Sequence, residues 1–143
     1  IIEIIPESIC ELTLLTRLEL NHNKIETLNI LSKLPYINFL ELNHNNITEI
    51  PQEIIGWKNL IKISLVHNKI TELPLSIYNL CIDNNLRTFI LRDNNIYNIH
   101  FDLLSLPRKI KYSLTYRDQK IVTATNKKTI EEYYETTTSS TVK

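Results

Sequence analysis

The sequence repeats itself, and the period of the repeat leaves few folds open. Four times a spaced set of apolar residues ends in an asparagine: Leu15, Leu18, Leu20 and Asn23; Ile37, Leu40, Leu42 and Asn45; Leu60, Ile63, Leu65 and Asn68; Leu86, Phe89, Leu91 and Asn94. The asparagines lie 22, 23 and 26 residues apart, and each is followed two residues later by an isoleucine, at Ile25, Ile47, Ile70 and Ile96. A unit this short cannot enclose a core of its own, so its apolar side chains must be covered by the units before and after it. The chain is therefore expected to be a stack of units, and its 143 residues one elongated domain.

Inside each unit the Leu-x-Leu pair alternates with polar residues, as a strand with one buried face requires. Successive units then align as parallel strands about 4.8 Å apart. The segments between strands read Pro6, Ile9, Leu12, Leu15; Pro51, Ile54, Trp57, Leu60; and Pro74, Ile77, Leu80. This threefold spacing suits 3₁₀ or short helical turns packed behind the sheet, with Trp57 filling a leucine position in the core. The return through Leu28, Leu31, Leu34 and Ile37 lacks the early proline and is one residue shorter, whereas the stretch from Cys81 to Asn85 adds about three residues.

Ile2, Ile5 and Pro6 match Ile47, Ile50 and Pro51, so the chain opens inside a unit and an earlier stretch is expected. Near the other end a degraded fifth unit aligns through Leu114, Tyr116, Gln119 and Ile121, with Lys111 at an apolar position. The expected layout is a solenoid over 1–121, a capping segment over 122–135 and a disordered Thr- and Ser-rich tail over 136–143. Thr129 and Glu132 offer a capping box for a short helix in the capping segment, and Tyr133 and Tyr134 could cover the last apolar edge.

The asparagines carry a structural expectation. An amide at each turn can donate to and accept from backbone groups of adjacent units that the bend leaves unpaired, so Asn23, Asn45, Asn68 and Asn94 should form a ladder.

With the buried positions assigned, the remaining strand residues fall into columns across one face of the sheet. In unit order the first column is Arg17, Phe39, Lys62, Thr88 and Ser113, the second Glu19, Glu41, Ser64, Ile90 and Thr115, and the third Asn21, Asn43, Val66, Arg92 and Arg117. Acidic side chains sit at one end, basic ones at the other, and Phe39, Val66 and Ile90 lie between or beside them. Such a gradient would complement an elongated peptide or protein surface, with apolar anchors and orienting charges. The partner-contact candidates are Arg17, Glu19, Phe39, Glu41, Lys62, Val66, Ile90, Arg92 and Arg117.

A fourth column is His22, His44 and His67, followed by Asp93 and Asp118. Imidazoles about 5 Å apart could share a metal ion or respond together to acid. The plainer reading is an exposed, tolerant position repeated by duplication, in which parallel rows hold the rings side by side rather than converging. Zinc titration, with His44→Ala as control, separates the two.

Composition restricts the function classes. The formal net charge is zero, although residues 1–57 hold eight acidic and three basic side chains and residues 58–143 hold eight acidic and thirteen basic ones. The two halves thus carry −5 and +5, an electrical polarity along the stack. A cluster at Arg108, Lys109, Lys111, Arg117 and Lys120, with Tyr112 and Tyr116 interleaved, keeps a nucleic-acid-associated adaptor open as an alternative. Asp118 interrupts it. Gly56 is the only glycine, which excludes a glycine-rich phosphate loop, and no Cys-x-x-Cys, His-Glu-x-x-His or nucleophile elbow occurs. Glu19 and Glu41 are the nearest approach to a catalytic carboxylate pair and read instead as a site for a basic partner. No enzyme activity and no cofactor are expected. No run approaches the length of a membrane span, and the two cysteines, Cys10 and Cys81, do not form the clustered end disulfides of secreted repeat proteins. A cytoplasmic setting without membrane contact is expected.

At Leu15 to Leu28, Ile37 to Pro51 and Leu60 to Pro74 the Leu-x-x-Leu-x-Leu-x-x-Asn-x-Leu spacing resembles the intracellular leucine-rich repeat family, mixing its short type with the type ending in Leu-Pro or Ile-Pro. The resemblance covers roughly residues 2–121. It implies an α/β solenoid: a right-handed superhelix with a concave parallel β-sheet, short 3₁₀ or helical returns and a C-terminal cap. It also implies a concave face that binds proteins, as in phosphatase regulators, signalling scaffolds and ubiquitin-ligase substrate receptors. The expected function is a non-catalytic module that binds another protein or an extended peptide on that face. A metal- or pH-responsive module built on His22, His44 and His67 is kept as a further alternative, and self-association through the open first repeat stays possible.

Overall fold

The structure, a computed structural model, describes residues 1–83, 85–99 and 114–115. The described chain alternates three-residue strands with short helical returns: a 3₁₀ turn Glu7–Glu11, β1 Arg17–Glu19, a 3₁₀ turn Asn29–Lys33, β2 Phe39–Glu41, a 3₁₀ turn Gln52–Gly56, β3 Lys62–Ser64, β4 Glu72–Leu73, α1 Ser76–Asp83, β5 Thr88–Ile90, β6 Asn98–Ile99 and β7 Leu114–Thr115. Five of the strands form one parallel sheet in the order β1-β2-β3-β5-β7. The register follows the repeat: Arg17, Phe39, Lys62 and Thr88 are successive partners, as are Glu19, Glu41, Ser64, Ile90 and Thr115. The columns drawn from the sequence are therefore columns in space for these residues. The expected parallel stack is present, and β7 continues it at Leu114–Thr115; Tyr116, Gln119 and Ile121 of the expected fifth unit lie outside the described residues.

The strands are short because a single inward residue, Leu18, Leu40, Ile63 or Phe89, anchors each one before the chain turns. Leu40, Ile63 and Phe89 are buried, as are Ile25, Ile47, Ile70 and Ile96 after the turns, giving one continuous aliphatic core along the stack. Pro6 and Pro51 hold the extended backbone that leads into their 3₁₀ turns, with φ, ψ near −70°, 149° and −69°, 153°. The second return has no proline, and Leu28 enters its turn in the helical region instead, at φ −105°, ψ −2°. Gly56 ends the third turn close against the second: a β-carbon there would lie 3.1 Å from the Ser32 carbonyl oxygen.

Two local features go beyond the sequence expectation. The residues added near Cys81 lengthen the fourth return into a true α-helix, α1, which packs on the third return and buries Ile77, Leu80 and Cys81. The segments Glu72–Leu73 and Asn98–Ile99 pair in parallel as a separate two-stranded sheet. The capping segment 122–135, the tail 136–143 and Lys111 lie outside the described residues.

The asparagine ladder is present. The Asn45 amide donates to the Leu20 carbonyl at 2.9 Å and the Leu42 carbonyl at 3.1 Å, and its oxygen accepts the Ile25 N–H at 3.0 Å. Asn68 repeats this with Leu42, Leu65 and Ile47, and Asn94 with Leu65, Leu91 and Ile70. At the first turn the Asn23 oxygen accepts the Ile2 N–H at 2.7 Å, which places the opening residues in register with the later units. Each side chain therefore satisfies peptide groups of its own unit and of the one before it.

Candidate interaction face

The outward strand residues of the sheet lie in adjacent columns, but their charges are not free. Arg17 donates to Glu19 at 2.6 Å and stands 4.0 Å from Glu41, while Lys62 donates to Glu41 at 2.8 Å. The Arg17 guanidinium also lies over the Phe39 ring, 5.6 Å from its centroid. Glu41 is only 19% exposed in its side chain, against 49% for Glu19. The hydrogen bond from Lys62 holds the Glu41 carboxyl below its ordinary value; burial opposes this, and the Lys62 charge, a hydrogen bond from Asn21 and the Arg17 charge add to it. The acidic end expected from the sequence is thus neutralised within the face by its own neighbours, and Glu19 and Glu41 do not form an unpaired carboxylate pad.

Further along, Phe39, Lys62, Val66, Thr88 and Ile90 are half-buried and Arg92 is exposed. Arg92 makes no ion pair among the described residues. The open part of the face is therefore apolar at Val66 and Ile90 and cationic at Arg92. Arg117, Asp118 and the basic cluster at Arg108, Lys109, Lys111 and Lys120 lie outside the described residues.

The third column holds a second ladder that the sequence reading missed. The Asn21 side-chain oxygen accepts the Asn43 N–H at 2.8 Å, and that of Asn43 accepts the Val66 N–H at 2.9 Å and the Ser64 hydroxyl at 2.7 Å. Asn21 and Asn43 therefore brace the strand ends, and Ser64 is buried rather than presented. The recurrence of asparagine at the residue after Leu-x-Leu was the available signal, since its short amide can reach the backbone one unit on.

The histidine column has a backbone cause. His22, His44, His67 and Asp93 all adopt positive φ, at 59°, 56°, 53° and 57°. This left-handed conformation favours glycine and, among other residues, Asn, Asp and His. In a chain with one glycine, the shared position of three histidines and an aspartate could have revealed the turn. The rings layer face to face, His22 on His44 at 4.4 Å and 11° and His44 on His67 at 4.4 Å and 26°, and His67 Nε2 lies 3.4 Å from Asp93 Oδ2. Loss of hydration between its neighbours, then the charges of His22 and His67, hold the His44 imidazole below its ordinary value, with Asp93 pulling the other way. Layered rings do not converge on one point, and among the described residues no three His, Cys, Asp or Glu side chains are grouped to hold a metal ion.

No protein-family model and no curated protein matches the chain. Solved structures do. A leucine-rich repeat protein of Leptospira interrogans is 28% identical, with a TM-score of 0.70 over 92% of this chain and 32% of its own. An internalin of Listeria monocytogenes is 23% identical, with a TM-score of 0.56 over 68% of this chain and 31% of its own. PEPR1, in its structure with AtPEP1, is 24% identical, with a TM-score of 0.61 over 78% of this chain and 15% of its own. The chain spans a third or less of each of these proteins. With its sheet, register and amide ladder, it folds as a leucine-rich repeat solenoid.

Proposed function

We propose that this chain is a non-catalytic recognition module that takes an extended peptide or a protein surface on its concave sheet. The carrying observation is the open region formed by Val66, Ile90 and Arg92, next to strands whose other charges are already paired. Apolar side chains held on a rigid sheet lose little freedom when covered, so they anchor a partner efficiently, while Arg92, which makes no ion pair among the described residues, orients it. Solenoids of this kind present extended concave surfaces suited to such contacts. A partner with an apolar segment and a nearby carboxylate fits best.

A cytoplasmic setting belongs to the same proposal. It is supported by two unpaired thiols, of which Cys81 is buried in α1 and pushed up to about 12 by that burial.

The test is capture from source-cell extract with crosslink mapping, comparing the intact chain with Ile90→Asp, Arg92→Glu and the return-side control Glu53→Arg. Loss with the first two and retention with the third is expected, with crosslinks on the sheet face. Unchanged capture by both face variants, or crosslinks confined to the returns, overturns the reading.

A further inference from the structure

The turn edge beside the sheet face carries a row of three solvent-exposed imidazoles, stacked at 4.4 Å steps and ending on Asp93. Aromatic rings in such a row are normally explained by packing, but these are exposed and polar. Their backbone requirement would be met equally by asparagine, which the chain uses freely. The geometry points to a docking edge for a carboxylate-rich segment of a partner, engaged when the row is protonated and released when it is neutral. This deepens the proposed recognition function and rests on it.

Charge complementarity identifies the occupant. Around the row, Arg92 precedes Asp93 on the fourth turn and Lys69 follows His67 by two residues; both are exposed and neither makes an ion pair among the described residues. Lys24 follows His22 by two residues and is held by Glu3 at 3.2 Å. In the sheet, the nearby carboxylates are committed: Glu41 to Lys62 and Glu19 to Arg17. Among the described residues, Asp93 is the acidic group at the row itself and is engaged by His67. Every proton added to the row therefore increases a positive potential that already exists at Arg92 and Lys69.

Of the ordinary side chains, imidazole is the one whose charge changes between about pH 5 and 8, so a row of histidines is the element that acidification can charge. His44 takes its proton only at lower pH, because hydration is restricted between its neighbours and their charges oppose its own. The sign is fixed: protonation favours an anionic ligand, so affinity should rise as pH falls. Aspartate carboxylates stay ionised over the same interval, since they titrate at about pH 3.9.

Fluorescence anisotropy with the full chain and a dye-labelled oligo-aspartate peptide at low salt tests this at about pH 7.5 and about pH 5.5. Binding about tenfold tighter at the acidic pH is expected, as protonation of the row attracts the peptide at modest exposed-pair strengths. The triple variant His22→Asn, His44→Asn, His67→Asn keeps residues that tolerate positive φ and should bind equally at both pH values. Its circular dichroism should match that of the unmodified chain. Equal binding by the unmodified chain at both pH values, an acid preference that survives in the folded triple variant, or no binding at either pH overturns the proposal. None of these results touches the sheet-face reading, which Ile90→Asp tests separately.

Discussion

Trp57 reaches back into the preceding unit and donates its indole N–H to the Leu31 carbonyl at 2.8 Å, with both residues buried. The ring occupies a position where other units use leucine, so the polar edge of the larger side chain needed a partner and found one in the neighbouring return. Trp57→Phe keeps much of the apolar contact but removes one of the two donors to that carbonyl, which retains the Leu34 N–H at 3.1 Å, and leaves a small void. A loss of about 1–3 kcal/mol is expected from urea unfolding. Trp57→Leu should not recover stability, because the cavity grows.

Asn45 accepts one N–H and donates to three carbonyls in two units, those of Leu20, Leu42 and, at 3.4 Å, Asn43. Asn45→Ala should cost about 1–3 kcal/mol by thermal or urea unfolding. Asn45→Asp should cost more at neutral pH, since a carboxylate accepts from Ile25 but faces the Leu20 and Leu42 carbonyls with no hydrogen to offer. An unchanged melting curve for Asn45→Ala would remove the ladder from the account of stability.

His44 sits at φ 56°. His44→Ala should lose about 1 kcal/mol from the left-handed conformation, whereas His44→Gly and His44→Asn should stay close to the parent. Unfolding midpoints of the three variants give the comparison; equal losses for alanine and glycine would assign the effect to ring stacking instead.

Glu41 carries a pH prediction. Its carboxyl is lowered in the folded chain from an ordinary 4.5, so its stabilising contribution is present above the unfolded value and fades as pH falls through the folded one. Lys62→Ala removes the leading cause and should raise the Glu41 titration midpoint, followed by carbon-detected NMR. It should also flatten the loss of stability below about pH 4.5, by no more than about 1 kcal/mol for a pair at the protein surface.

The apolar period and the recurring asparagine were enough to place Leu40, Ile63 and Phe89 inside, to set the register of β1, β2, β3 and β5, and to assign Asn45 and Asn68 their backbone role. These features repeat at fixed offsets, so one unit interprets the next. The face was less legible. Glu41 meets Lys62 and Arg17 only after units 21 and 24 residues away are brought side by side, and which charges cancel depends on side-chain reach. Asn21 and Asn43 read as exposed contact positions until their oxygens are seen on neighbouring peptide groups. The positive φ at His22, His44 and His67 left a compositional trace, but a preference shared by Asn, Asp and His is easily taken for tolerance. The length of α1 and the β4–β6 pair come from packing between returns, which no local pattern specifies.

The amide ladder also has a mechanical consequence. Because every rung fastens a unit to its immediate predecessor, tension applied to the ends would be borne serially, one rung at a time. Each rupture would free the 22 to 26 residues between successive asparagines, roughly 8 nm of slack at full extension. Stretched in an optical trap, the molecule should lengthen in a saw-tooth of such increments rather than in one snap.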